Sequence, residues 1–161
     1  MRLENGSRVI VVGGGPAGSF AALQLLRLSA EAGLRLDLTV LEPRDFARPG
    51  PGGCNKCAGI LSSSVVRNLE TLGLRLPPEM IQAEVDAYVL HLGGGELTIH
   101  RPDPERRILS VYRGSGPRLG GPPFPLSFDG WLLARARARG ASVQRARVRT
   151  ILRGPPPVVV T

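Results

Sequence analysis

Lysine is almost missing from this 161-residue chain: Lys56 is the only one, and arginine supplies the other 20 of its 21 basic residues. Residues 130–161 hold seven arginines and no acid, whereas residues 1–129 hold 14 basic against 13 acidic residues, so the net charge of +8 belongs to the tail. Aromatic residues make up 4% of the chain, and none lies among the tail arginines to stack a base, so nucleic acid is not an expected partner. No apolar run approaches the roughly 20 residues of a bilayer span, and the start MRLENGSRVI lacks the apolar region of a signal peptide. A cytoplasmic protein without an integral membrane segment is expected, with peripheral membrane contact left open. Two cysteines and two histidines leave little for a metal: Cys54 and Cys57 would need two further ligands for zinc, and the candidates are His91 and His100, both in a presumed hairpin.

What the chain does have is 21 glycines, and an apolar fraction of 42% that suits one globular core. The glycines are placed most tellingly at the start. Arg8 to Val12 (RVIVV) runs into Gly13-Gly14-Gly15-Pro16-Ala17-Gly18 and then into the helix-like run Ser19 to Leu28. A second apolar run, Leu36 to Leu41, ends in Glu42, 24 residues after Gly18. Strand, glycine turn, helix, strand and terminal acid together read as a dinucleotide site. Gly13 lets the chain turn off the strand, Gly15 lets the backbone approach a pyrophosphate, and Gly18 lets the helix pack closely. The phosphate charge meets free helix N–H groups, and Pro16 suits the first helical turn. Glu42 can accept from both hydroxyls of an adenosine ribose and would repel a 2′-phosphate, which disfavours NADP there. A glycine turn that binds nothing would leave Glu42 unexplained.

Residues 43–53 read as a loop from their proline and glycine. Leu61, Val65, Val66, Leu69 and Leu72 have helical spacing, with N-cap candidates at Ser62 to Ser64 and a stop at Gly73. Ala87 to Leu92 and Glu96 to His100 flank Gly93-Gly94-Gly95, and with Ile108 to Tyr112 they predict antiparallel strands. Residues 114–125 form a loop, Ser127 caps a helix Phe128 to Arg139, and Gly140 ends it. Ala141 to Val143 reads as a third parallel strand. Ala146 to Leu152 alternates as a strand would, with Arg145, Arg147 and Arg149 on a solvated face. Pro155 to Pro157 force a break before a last strand at Val158 to Thr161.

Cys54 and Cys57 form a C-x-x-C that fits a redox disulfide, half a zinc site or two unrelated thiols. His91 and His100 read as hairpin surface residues. Arg44, just after Glu42, lies near the adenine or a phosphate in one reading and is a solvated arginine in the other.

VVGGGPAGSFAALQLL, LEPRDF, CNKCAGILS and SFDGWLLARARARGASV, in this order, resemble the N-terminal half of FAD-dependent oxidoreductases of the geranylgeranyl reductase type, within the para-hydroxybenzoate hydroxylase-like fold. The resemblance covers most of the chain. It implies an α/β, Rossmann-type FAD-binding domain, incomplete, with Rossmann elements over residues 7–75 and 126–161. A partial substrate-domain insertion of antiparallel β structure falls over 80–115. It places FAD against Gly13, Gly15, Ala17 and Gly18, with Glu42 on the ribose, Arg44 nearby and Cys57-Ala58-Gly59 beside the flavin. NAD(P)H is a candidate reductant, and an apolar small molecule the substrate, to be reduced as isoprenoids are or hydroxylated. Since the flavin carries the redox step, no side chain need act as acid or base, and Cys57 is the one catalytic candidate.

Two departures stand out. Related flavoenzymes carry an arginine three residues before Phe-Asp that helps hold the flavin; here Pro125 has that spacing from Phe128, leaving Arg113 or Arg118 as substitutes. The family's second FAD motif, a Gly-Asp segment, is absent, so the chain reads as a piece lacking the C-terminal half of the fold. A non-catalytic nucleotide-binding module and a non-functional remnant are the rival readings.

Overall fold

In the computed structural model, residues 2–48, 57–101, 103–114 and 127–161 are described. The β-branched run Val9 to Val12 favours extended chain, and strand β1 (Arg8–Val12) pairs in parallel with β2 (Asp37–Leu41), in a register from Arg8↔Asp37 to Val12↔Leu41. Parallel neighbours need a crossover, and helix α1 (Pro16–Glu31) supplies it. It buries Ser19, Ala22, Leu23 and Ser29, a stripe at helical spacing.

Between β2 and the last helix the chain builds antiparallel structure. β3 (Ile60–Leu61) leads into α2 (Ser63–Thr71), a 3₁₀ turn at Pro78–Met80, β4 (Ile81–Glu84), β5 (Ala87–Leu92), β6 (Gly95–His100) and β7 (Leu109–Val111). β7 lies between β3 and β4, and β5 pairs with β6 around a two-residue Gly93-Gly94 turn. Leu61 therefore belongs to a strand and not to the expected helix. Ser62 precedes α2, but its hydroxyl is shared with Ser64 at 2.8 Å instead of capping the helix.

The chain then returns to the parallel sheet. Ser127 Oγ accepts the Gly130 N–H at 3.1 Å and starts α3 (Phe128–Ala138), as expected from sequence. β8 (Ser142–Gln144) pairs in parallel with β2, giving the order β1-β2-β8, which is the 3-2-1 order of half a doubly wound sheet. α1 and α3 pack against each other. With the sheet they enclose Leu23, Leu38, Val40, Phe128, Trp131, Leu132 and Ala136, while Ile10 and Val12 on the other face of β1 are exposed. The Phe128 and Trp131 rings stack at 6.1 Å and Arg135 lies over the indole, so one tail arginine is already engaged in packing. Of the expected strand from Ala146, only β9 (Thr150–Leu152) pairs, antiparallel to β10 (Val158–Val160). A strand exists only where a partner runs beside it, and β10 is three residues long. Arg145, Arg147 and Arg149 are exposed, as the alternation predicts.

At the base of the β5–β6 hairpin, Glu84 accepts from Arg101 Nη1 at 2.8 Å and from Arg107 Nε at 3.1 Å, and Arg101 also reaches Asp86. Arg101 first, then Arg107, hold the Glu84 carboxyl below its ordinary range. The folded protein thus releases this proton more readily than the unfolded chain. The stabilisation is present above the unfolded glutamate pKa of about 4.3 and is lost as pH falls through the lowered folded value. Glu84→Gln is expected to lower Tm by about 1–3 °C at pH 7 and to converge with wild type in strong acid. A Tm difference that stays constant from neutral to acid pH would show that charge is not what holds the clip.

The hairpin is amphipathic. Tyr88, Leu90 and Leu92 share a face with Leu97 and Ile99, and these five are 44% to 61% exposed, whereas His91 pairs with Glu96 on the other face. Such a face binds apolar probes. Replacing Leu90 and Leu97 together by Thr should reduce binding of an environment-sensitive naphthalene dye while moving Tm by no more than about 3 °C. Unchanged dye binding would place the exposed apolar surface elsewhere.

Candidate functional site

Leaving β1, the chain makes its turn at Gly13, whose φ of +96° is a backbone state that side chains disfavour. Gly13 N–H donates to Leu41 O at 2.8 Å and Gly14 N–H to Glu42 Oε2 at 2.8 Å. The other Glu42 oxygen, Oε1, accepts the Arg44 N–H at 2.8 Å, and Glu42 N–H donates to Gln144 O at 3.0 Å. Glu42, 5% exposed, therefore ties the glycine turn to the ends of β2 and β8. A Cβ on Gly14 would stand 2.9 Å from Glu42 Cβ, so this glycine is set by the acid's proximity.

α1 begins directly on the turn. Gly15 is its N-cap and Pro16 its first residue, with no side-chain cap and no acid in the first turn. A Cβ on Gly18 would lie 1.8 Å from Gly13 O. Ser19, fully buried, donates its hydroxyl to Gly14 O at 2.8 Å and its N–H to Gly15 O at 2.9 Å. The carbonyls of Gly13, Gly14 and Gly15 thus all turn toward the helix. Among the described residues a Cβ added to Gly15 would meet only Asp129 Oδ1, at 3.9 Å. That leaves a helix N-terminus whose preceding carbonyl oxygens are turned toward the helix, a setting suited to an anion.

Asp129, 1% exposed in the first turn of α3, would oppose an anion there if it stood alone. Arg113 grips both its oxygens, through Nε to Oδ2 and through Nη2 to Oδ1 at 2.7 Å. The third guanidinium nitrogen, Nη1, is 2.9 Å from Cys57 Sγ. Phe128 N–H donates to Tyr112 O at 2.8 Å, so residues 112–113 and 128–129 lie side by side although the chain between them is long. Gly59 is seated on β7, its carbonyl accepting the Val111 N–H at 2.9 Å, and Ala58 O accepts the Ser110 hydroxyl.

Gly13, Gly15, Gly18 and Glu42 therefore come together, with Ala17 exposed on the first turn of α1. Cys57, Ala58 and Gly59 reach the same region through Arg113. Arg44 is exposed, its guanidinium over the Phe46 ring at 5.9 Å and 3.8 Å from Glu42 Oε1. Of the two substitute arginines, Arg113 occupies the place beside Asp129; Cys54, Arg118 and Pro125 lie outside the described residues. Sequence reasoning missed Gly14 and Ser19. Ser19 looked like helix filler, and the available signal was a hydroxyl in an otherwise apolar helix start. Among the described residues no cluster of His, Cys, Asp or Glu could hold a metal. A cavity of about 710 Å³ lies apart from the turn, between α2 and β4–β7, lined by Val66, Leu69, Leu74, Leu76 and Leu109 with Arg107.

No protein-family model and no curated protein matches the chain. Solved structures share its fold, two of them as follows. The peptidyl tryptophan dihydroxylase QhpG, essential for tryptophylquinone cofactor biogenesis, superposes with a TM-score of 0.54 at 22% identity, over 96% of this chain and 28% of its own. The p-nitrophenol 4-monooxygenase PnpA from Pseudomonas putida DLL-E4 superposes with a TM-score of 0.58 at 19% identity, over 94% of this chain and 35% of its own. The chain spans about a third of these structures, and at such identities the fold is what they share.

The glycines separate into structural and open positions, which a stability measurement can read. Gly18→Ala should cost about 1–3 kcal/mol by forcing helix and turn apart. Gly15→Ala should stay close to wild type, because its Cβ enters open space. Equal destabilisation by the two in chemical denaturation would contradict this division.

Proposed function

We propose that the chain is the N-terminal part of a Rossmann-type FAD-binding domain of a flavin-dependent oxidoreductase that acts on an apolar small molecule. The observation that carries the proposal is the glycine turn with its three carbonyls directed into α1 and open space at Gly15, next to a buried acid at the end of β2. These residues fit the adenosine pyrophosphate half of FAD. Gly15 and the first turn of α1 would receive the phosphates, and Glu42, whose two oxygens retain lone pairs beyond the two amides they accept, would orient the ribose. Arg113 would cancel the Asp129 charge at the phosphate edge and steady Cys57-Ala58-Gly59 beside the flavin. When bound, FAD supplies the electron chemistry; the residues here bind, orient and shape the field.

In this reading residues 80–115 are part of a substrate domain inserted between Rossmann elements, and the remaining protein completes both. NAD(P)H is the proposed reductant, and an apolar molecule the proposed substrate. The two solved structures are a dihydroxylase and a monooxygenase, which favours hydroxylation over the isoprenoid reduction suggested by the resemblance to geranylgeranyl reductases.

The test is the purified chain followed by flavin absorbance and fluorescence. It should retain less than one flavin per chain, because part of the site lies in the rest of the fold, and should bind added FAD. Gly15→Val should remove that binding without loss of fold, the branched Cβ filling the phosphate space. A folded Gly15→Val protein that binds FAD as wild type does would sink the assignment.

A further inference from the structure

We propose that Ser19 is a positioning residue of the phosphate cradle: its hydroxyl holds the Gly14–Gly15 peptide so that the Gly15 N–H faces the ligand. The inference rests on the dinucleotide reading above and goes beyond it by assigning a role to a residue outside the glycine motif. A trans peptide is planar, with C=O and N–H on opposite sides. Gly14 O is fixed at 2.8 Å by the Ser19 hydroxyl, on the helix side of the turn. The Gly15 N–H must then point to the other side of the turn, away from the Ser19 hydroxyl.

The hydroxyl is needed because the turn itself is permissive. Gly13, Gly14 and Gly15 carry no Cβ, so rotation of the peptide between Gly14 and Gly15 meets little steric resistance. Rotated by half a turn, that peptide would present a carbonyl oxygen to the pyrophosphate, replacing an attraction by a repulsion. Glu42 holds the preceding peptide through the Gly14 N–H, and the Ser19 hydroxyl holds this one through the Gly14 C=O. Ser19 is fully buried, so no bulk water stands in for a missing partner. A helix prefers alanine at such a position, and the serine hydroxyl reaches one residue further back than the helical bond that its own N–H makes to Gly15 O. Both facts assign the hydroxyl to the turn rather than to the helix.

The experiment compares wild type, Ser19→Ala and Ser19→Cys for affinity toward ADP and toward adenosine, with circular-dichroism melting as the control for fold. Ser19→Ala should weaken ADP about five- to tenfold, the loss of one hydrogen bond's orienting effect, and leave adenosine within about twofold. Ser19→Cys, close in size and a weak donor, should fall between, and it carries the comparison if the alanine variant does not fold. Equal weakening of ADP and adenosine, or no weakening of either, would overturn the positioning role while leaving the dinucleotide site standing. Failure of wild type to bind ADP would overturn the site and with it this inference.

Discussion

A carboxylate buried beside the N-terminus of α1 needs a cation, and the fork of Arg113 on Asp129 is the interaction on which the rest of this site depends. Asp129 is 1% exposed and the Arg113 side chain 11%, so neither is well solvated. Removing one partner of such a pair leaves a buried charge uncompensated, a loss of about 3–5 kcal/mol in general. The pair also links the two layers, beside the backbone bond from Phe128 N–H to Tyr112 O. Asp129 starts the helix that packs on α1, Arg113 follows β7 of the antiparallel segment, and its remaining nitrogen meets Cys57. With the carboxylate matched, the field at Gly15 is set by the positive end of α1.

Around this pair, the glycine turn is shaped by distances more than by flexibility. Gly18 is dictated by Gly13 O, Gly14 by Glu42, and Gly15, among the described residues, by nothing nearer than a carboxylate oxygen at 3.9 Å. A position kept open where its neighbours are crowded is where an outside group can come close. The buried Glu42 serves the same arrangement: by accepting the Gly14 and Arg44 N–H groups it fixes the turn to the sheet as well as presenting a carboxylate at its edge.

Much of this was legible because it is local. The strand, glycine turn and helix from Arg8 to Glu31 are contiguous, the Ser127 cap sits immediately before its helix, and the Gly93-Gly94 turn lies between alternating strands. What could not be read is set by partners far along the chain. β3 is two residues long and exists through pairing with β7 about fifty residues later, which is why Leu61 passed for a helical position. Arg113 meets Asp129 where the Tyr112–Phe128 backbone bond sets the two segments side by side, a proximity that sequence distance does not show. Ser19 was hidden by its surroundings, since one hydroxyl hardly disturbs an apolar pattern and its partner, a carbonyl, leaves no trace in sequence.

The central claim is that the glycine turn and Glu42, rather than the cavity beside α2, receive the ligand. Amide nuclear magnetic resonance spectra of the isotope-labelled chain titrated with ADP test this residue by residue. The largest saturable shifts should fall on Gly13 to Ser19 and on Glu42 to Arg44. Shifts confined to Val66, Leu69, Leu74 and Leu109, or no saturable shift at all, would contradict the account.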